Sequence, residues 1–288
     1  MARSFVKSWL WALALLMLGG AVQAAEVSSA TQSVLEMKGL VSFWDFQEAS
    51  GSRKAQGPFK ADLMEGKEGV GRAEEGLFGP HSLKLKPGQW LRIPREKLGP
   101  LNIHGPKAQV TVIAWVKREG TNFWQSIAGV WDETHSARQY MLFLNARTRT
   151  DASIMKRVLT QNRIHGHISS SGGASPGEKF WISYASSGSE VSMKEWHMIA
   201  LTYDAQFIRM YLDGKLDAWE NSNPFPYKEG IFDGGAKGAD FTVGANHVAG
   251  IENNNRFSGL MAGLAVFDRA LTDEEMGMLA AKTLPSRK

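Results

Sequence analysis

The chain has 288 residues, 43% of them hydrophobic, a formal net charge of +4 and no cysteine. These values exclude a disulfide-stapled mini-domain and a disordered chain, and they allow one large domain with its own apolar core. The sequence pI is near 9.2, yet basic residues are dispersed with no run of four, so a nucleic-acid partner is not expected.

Residues 1–24 read as a secretory signal peptide. Arg3 and Lys7 precede an apolar run from Trp9 to Leu18, Gly19-Gly20 breaks it, and Val22-Gln-Ala24 offers small residues to a signal peptidase. The run is shorter than the roughly 20 apolar residues of a membrane span. The expectation is therefore export to the periplasm, the cell surface or the extracellular space, with no membrane span after cleavage. Loss of Arg3 and Lys7 brings the net charge from +4 to +2.

Residues 25–37 are small and polar and read as a short flexible lead. A strand signal opens at Gly39-Leu-Val-Ser-Phe-Trp-Asp-Phe46, and a glycine-punctuated stretch follows to Gly79. Residues 82–86 and 89–94 alternate and predict short strands, whereas residues 109–117 are almost continuously apolar, as a central sandwich strand requires. Residues 126–131 and 139–144 predict two more strands, split by the polar loop 132–138. Residues 146–159 show little periodicity and read as a loop or a short surface helix, and 163–168 predict a strand before a small-residue loop at 169–179.

The clearest hairpin joins residues 196–203 to 207–212 through Asp204-Ala-Gln206, and Asp213-Gly214 makes the next tight turn. Residues 240–245 predict a further strand. Thr272, three residues before Glu275, predicts a capping box for a short helix running to about Ala281, and Pro285 bars its continuation. About a dozen short strands with little helix indicate an all-β, two-sheet antiparallel sandwich.

The order of the segments Val41-Ser-Phe-Trp-Asp-Phe46, Phe78-Gly-Pro-His-Ser-Leu-Lys-Leu85, Val110-Thr-Val-Ile-Ala-Trp-Val-Lys117, Trp196-His-Met-Ile-Ala-Leu-Thr-Tyr-Asp204, Met210-Tyr-Leu-Asp-Gly214 and Val266-Phe-Asp-Arg-Ala-Leu-Thr-Asp-Glu-Glu275 carries a family resemblance. It resembles the laminin-G-like jelly-roll domain of the concanavalin A-like lectin/glucanase superfamily, over residues 38–283, with 284–288 left as a tail. The resemblance implies two curved sheets, a concave face that often meets carbohydrate, and frequently one structural calcium ion. The chain departs from that pattern where members carry an Asp-Ser-Ser-Gly-Asn-like loop, for it has Arg53-Lys-Ala-Gln-Gly-Pro-Phe59. It departs again at Ala262, where members often place an aspartate. Two usual suppliers of calcium ligands are therefore missing, and Asp62 is the nearby substitute. Calcium stays an open expectation and no metal residue is assigned.

The paired-carboxylate string Glu-x-Asp-x-x-Glu of the glucanase branch does not occur. Asp45 and Glu48 fall on opposite strand faces, Asp132-Glu133 lie in a loop, and Glu274-Glu275 begin a helix. No Ser/His/Asp order, nucleophile elbow or phosphate loop is legible. His165-Gly-His167 puts two imidazoles on one strand face, which fits a metal pair or a polar, ligand-facing sheet surface; without a third ligand the surface is favoured. His197, in a core strand, reads as a satisfied structural residue. Trp44, Trp115 and Trp196 read as core, whereas Trp124, Trp131, Trp181 and Trp219 fall at strand ends or in loops, where flat rings can stack on sugars. The candidate ligand-facing set is Trp131, Asp132, Arg138, Trp181, His165 and His167, with Glu133, His135 and Tyr184 beside it. The expected function is non-catalytic recognition of glycans or glycoconjugates. An envelope scaffold or adhesion module that binds protein is the alternative, and a glycan-cleaving enzyme the third reading.

Overall fold

A computed structural model of the protein describes residues 28–66, 69–145, 162–174, 184–248 and 251–286. The segment read as a signal peptide, the whole of the weakly periodic stretch 146–159, and Trp181 lie outside the described residues. In chain order, helix α1 (Ser29–Leu35) is followed by β1 (Leu40–Trp44), β2 (Met64–Glu65), β3 (Gly71–Ala73), β4 (Ser82–Leu85), β5 (Leu91–Ile93) and β6 (Val110–Arg118). Then come β7 (Trp124–Val130), β8 (Tyr140–Asn145), β9 (Arg163–Ile168), β10 (Tyr184–Ser186), β11 (Trp196–Tyr203), β12 (Phe207–Leu212) and β13 (Lys215–Leu216). The chain closes with β14 (Phe225–Pro226), β15 (Phe241–Val243), β16 (Asn246–Val248), β17 (Ile251–Asn254), β18 (Gly259–Phe267) and helix α2 (Asp273–Thr283).

Among the described residues the strands form a nine-stranded sheet, ordered β13-β12-β11-β6-β18-β4-β3 with β1 and β14 added on β18 and β12, and a seven-stranded sheet ordered β10-β9-β8-β7-β15-β5-β2. All pairings within both sheets are antiparallel. A small ladder of β16 and β17 stands apart. The jelly-roll sandwich expected from the alternating segments is the fold observed.

The predicted hairpin has the boundaries its alternation required. Leu212 pairs with Lys215 across Asp213-Gly214, whose φ values of 50° and 80° need residues that tolerate the left-handed region. Asp204 Oδ1 accepts from the backbone N–H groups of Gln206 and Phe207, which closes the preceding turn.

The period-two rule also decides which side chains meet between the sheets. Along β6, Val110, Val112, Ala114 and Val116 enter the inter-sheet core, as do Ile199, Leu201 and Tyr203 of β11 and Ile208 and Met210 of β12. Trp44 of the nine-stranded sheet stacks on Phe241 of the seven-stranded one at 5.9 Å. The alternate residues Ile113, Trp115, Met198, Ala200, Tyr211, Ala262, Ala265 and Phe267 form a second apolar layer on the outer face of the nine-stranded sheet. Both helices cover that layer, through Ala30 and Val34 of α1 and Met276, Leu279 and Ala280 of α2. This is why β6 and β18 read as unbroken apolar runs: both of their faces are buried.

Residues 29–35, expected to be flexible, are thus a helix. Ser28 caps it by accepting from the Thr31 N–H, and Val34 packs where a purely polar lead would leave apolar sheet exposed. At the other end of the chain Thr272 and Glu275 form the predicted capping box. Arg269 grips Glu275 with two hydrogen bonds of 2.8 and 2.6 Å, which hold its carboxyl down at about 2. Trp115 Nε1 donates to Thr283 Oγ1 at 2.7 Å and fastens α2 to the sheet.

Candidate functional site

With one outer face sealed by helices, the outer face of the seven-stranded sheet is the one to examine. A close approach fixes which way β9 faces. A Cβ on Gly166 would lie 2.4 Å from Met210 Sδ and 2.5 Å from Leu201 Cδ1, so this position points into the core, with Ile164 and Ile168. His165 and His167 therefore point outward. Cross-strand pairing sets Phe143 opposite His165, and Met141 and Tyr184 on either side of His167.

The result is a cluster of rings. His167 stacks on Tyr184 at 4.8 Å and meets Phe143 at 4.9 Å and Trp131 at 5.5 Å. Trp124 sits edge-on to His165 at 4.9 Å and to Phe143 at 5.7 Å. Ser186 Oγ lies 3.0 Å from His165 Nδ1. The sequence led to the expectation of a wet, ligand-facing pair of imidazoles. Instead His165 is 0% and His167 6% exposed, and the Trp131 ring is buried with them, with neighbouring rings packed around each. Trp124, at the start of β7, is only partly covered.

A polar rim stands beside this floor. Trp131 Nε1 donates to Glu133 Oε1 at 3.1 Å, and the Arg138 guanidinium lies 5.9 Å from the Trp131 ring centroid and 3.8 Å from the Glu133 carboxylate. Asp132 is buried between two imidazoles: its Oδ2 is 2.8 Å from His135 Nδ1 and 3.0 Å from His247 Nδ1, and its Oδ1 accepts from the His135 N–H. Burial pushes the Asp132 carboxyl up, but the bonds to His247 and His135 more than offset it and hold it at about 2. The fold thus brings Trp131, Asp132, Arg138, His165 and His167 to one region. His247, which joins them through a parallel bridge between residues 132 and 247, is 115 positions from Asp132 and carries no local signal in the sequence. Trp219 is elsewhere engaged, under the Arg163 guanidinium at 4.5 Å.

The Asp132 bonds make a pH prediction. A carboxyl whose folded pKa lies below its free value stabilises the fold above that free value and loses the contribution as pH falls toward the folded one. For Asp132 the window runs from the ordinary 3.8 down to about 2. Melting temperature measured from pH 5 to pH 2 should fall more steeply for the native chain than for Asp132→Asn. Parallel curves would show that the two imidazole bonds contribute nothing.

Residues 89–277 match the Laminin_G_3 family of the concanavalin A-like lectin/glucanases superfamily. The chain belongs to this superfamily. Comparison with curated proteins returns no match. Among solved structures, this superfamily member is similar to domain 4 of AbnA, a GH43 extracellular arabinanase from Geobacillus stearothermophilus in complex with arabinotriose. The two share 18% identity at a TM-score of 0.54, over 84% of this chain and 98% of that one. It is also similar to a Trypanosoma rangeli sialidase in complex with sialic acid (14% identity, TM-score 0.52, 85% of this chain and 33% of that one). A third similarity is to botulinum neurotoxin type C, whose cell entry depends on interaction with two ganglioside molecules (10% identity, TM-score 0.53, 86% and 52%). The chain spans about a third of the sialidase and half of the toxin chain. At these identities the likeness is one of fold.

Concanavalin A-like domains with a structural calcium need carboxylates free to bind it, and this member does not fit. Asp62, the substitute ligand, is bonded to the Lys54 ammonium, and Ala262 is sealed in the apolar layer under the helices. Among the described residues no three His, Asp or Glu side chains are placed to hold a metal ion, and no helix is long and apolar enough to cross a membrane.

The fold also assembles a Ser–His–Asp chain that sequence order concealed. Ser192 Oγ is 2.7 Å from His197 Nε2, and His197 Nδ1 is 2.9 Å from Asp213 Oδ2. The spacing matches a nucleophile, base and orienter, but the Ser192 hydroxyl also donates to Glu195 Oε2 at 2.6 Å. A hydroxyl proton directed at a carboxylate is not the one His197 would remove. Asp213 Oδ1 accepts from the Met198 N–H, so the chain of bonds ties the loop before β11 to the turn after β12. His197 is the satisfied structural histidine that its strand position implied.

Proposed function

We propose that this protein is an exported, non-catalytic recognition domain that binds glycans or glycoconjugates on the outer face of its seven-stranded sheet. The observation that carries the reading is the partly covered Trp124 ring and the polar rim at the edges of an otherwise buried ring cluster. One outer face is closed by two helices, and the other bears Trp124 and a ring cluster edged by Glu133, His135, Arg138 and His247. Amphipathic rings beside polar side chains suit sugars, whose faces stack while their hydroxyls take hydrogen bonds. The similar structures described with arabinotriose, sialic acid and gangliosides support the ligand class. Binding is favoured over cleavage because retaining hydrolysis needs two carboxyls roughly 5 Å apart, one with a raised pKa. Asp132, the buried carboxylate here, is held ionised at about 2. Export rests on the basic, apolar and small-residue order of residues 1–24; N-terminal sequencing of protein from the envelope or medium should begin at Ala25.

A glycan array followed by calorimetry tests the proposal. Trp124→Ala, at the open edge of the cluster, should weaken the best ligand by about tenfold, equivalent to about 1.4 kcal/mol. Arg72→Ala, at the far edge of the other sheet, should leave affinity unchanged. If no sugar binds at high micromolar concentration while a protein partner does, the scaffold reading replaces this one.

A further inference from the structure

We infer that the long excursion between β1 and β3, where calcium would be expected from the family resemblance, is ordered by a cation belonging to the chain itself, the Arg53 guanidinium. The inference is independent of the glycan reading. Arg53 has no exposed side-chain surface, and a buried charge persists only when it is paired and hydrogen-bonded. Its Nη1 donates to the Gly51 carbonyl and lies 3.4 Å from Glu65 Oε1, and its Nη2 donates to the Val70 carbonyl at 2.6 Å. Its own backbone exchanges hydrogen bonds with Leu63 at 2.8 and 2.9 Å. One side chain thereby joins the start, middle and end of the excursion.

Most of the other oxygens that a metal would want have a donor from the chain, while Glu48 Oε2 is buried without a hydrogen-bond partner. Glu65 Oε1 also accepts from the Gly51 N–H at 2.9 Å, and Glu48 Oε1 from the Lys54 N–H at 2.6 Å. Asp62 is bonded by Lys54 and Asp45 by the Gln56 amide. The carbonyls of Phe59 and Ala61 accept from Ser42 Oγ and Trp44 Nε1 at 2.7 and 2.9 Å. Calcium takes six to eight oxygens, several of them carboxylate. Here each of these carboxylates already has a donor from the chain, and the central positive charge is covalently attached.

Thermal melts of the mature chain test this. With chelator, or with millimolar calcium chloride, the midpoint should stay within about 1 °C, because only a ligand that binds the folded state raises it. A rise of several degrees with calcium would overturn the inference. Arg53→Met, which keeps the length of the side chain but strands Glu65, should lower the midpoint by roughly 10 °C. Lys54→Met, whose pair is exposed, should change it by no more than about 2 °C. An Arg53→Met midpoint equal to the native one would also overturn the inference. Should that variant not fold, the calcium comparison on the native chain still decides.

Discussion

Substituting Gly166 with valine is expected to lower the melting temperature by about 10 °C. At this point β9 crosses β11 and β12 so closely that even a methyl group would overlap Met210 Sδ and Leu201 Cδ1. Both of those atoms belong to flexible side chains, so alanine should cost only about 1–3 kcal/mol as they move aside. Valine adds two carbons to a site with no free volume. Met210 pairs with Leu201 across β11 and β12, which leaves neither much room to yield. The test is a double-mutant cycle. Met210→Ala should cost about 2–5 kcal/mol in the native background, and clearly less beside Gly166→Val, because it removes the overlap. Strict additivity would mean that valine acts through something other than crowding, and would weaken the assignment of β9 faces on which the candidate site rests.

Trp115→Ala should be nearly as severe, at about 3–5 kcal/mol. Trp115 is completely buried on the outer face of the nine-stranded sheet, with Phe43 and Phe78 edge-on at 6.3 and 4.8 Å. Its Nε1–H reaches across to Thr283 in the last turn of α2. Truncation therefore opens a cavity and frees the helix at once. The specific readout is early proteolytic cleavage near the C-terminus, together with binding of a dye that reports exposed apolar surface. Trp115→Phe should retain most of the packing but lose the bond, with about 1 kcal/mol of destabilisation. If the alanine variant melted cooperatively with α2 still protected, the helical cover would have to be held by other contacts. The closest of these is the 2.6 Å bond from Tyr211 to Asp273.

Much of this architecture was legible because a strand's face is written in alternation. The hairpin of β11 and β12, the Asp213-Gly214 turn and the Thr272–Glu275 capping box depend on residues close in sequence, so their physics is local. The continuous apolar run of β6 announced a strand in the middle of a sandwich, yet not what covers it. On the outer side the cover is the predicted α2 together with α1, a seven-residue helix too short to be stable on propensity alone and formed because an apolar layer awaits it. Its composition of serine, threonine and alanine reads as a lead precisely where tertiary packing overrides it.

The candidate site divides along the same line. Trp131, Asp132 and Arg138 were recognisable as a polar turn with an aromatic base, and His165 and His167 as two residues sharing a face. Their burial was not recognisable, since Phe143, Trp124 and Tyr184, which pack against the two imidazoles, stand on other strands. His247, which helps keep Asp132 ionised, and the bond from Ser192 through His197 to Asp213 join positions with no common periodicity. Arg53, by its type a surface residue, became the centre of a buried network.

The sequence alone determined the two antiparallel layers, the central strands and the turn chemistry, because these follow from side-chain period and local backbone preference, while the family was legible only as a resemblance of ordered segments. Only the tertiary structure decided which outer face the helices close, which rings enclose the two imidazoles, and that a guanidinium supplies the positive charge beside β1. Those outcomes depend on contacts between segments far apart in the chain, and burial, unlike alternation, is a property of the assembled sheets.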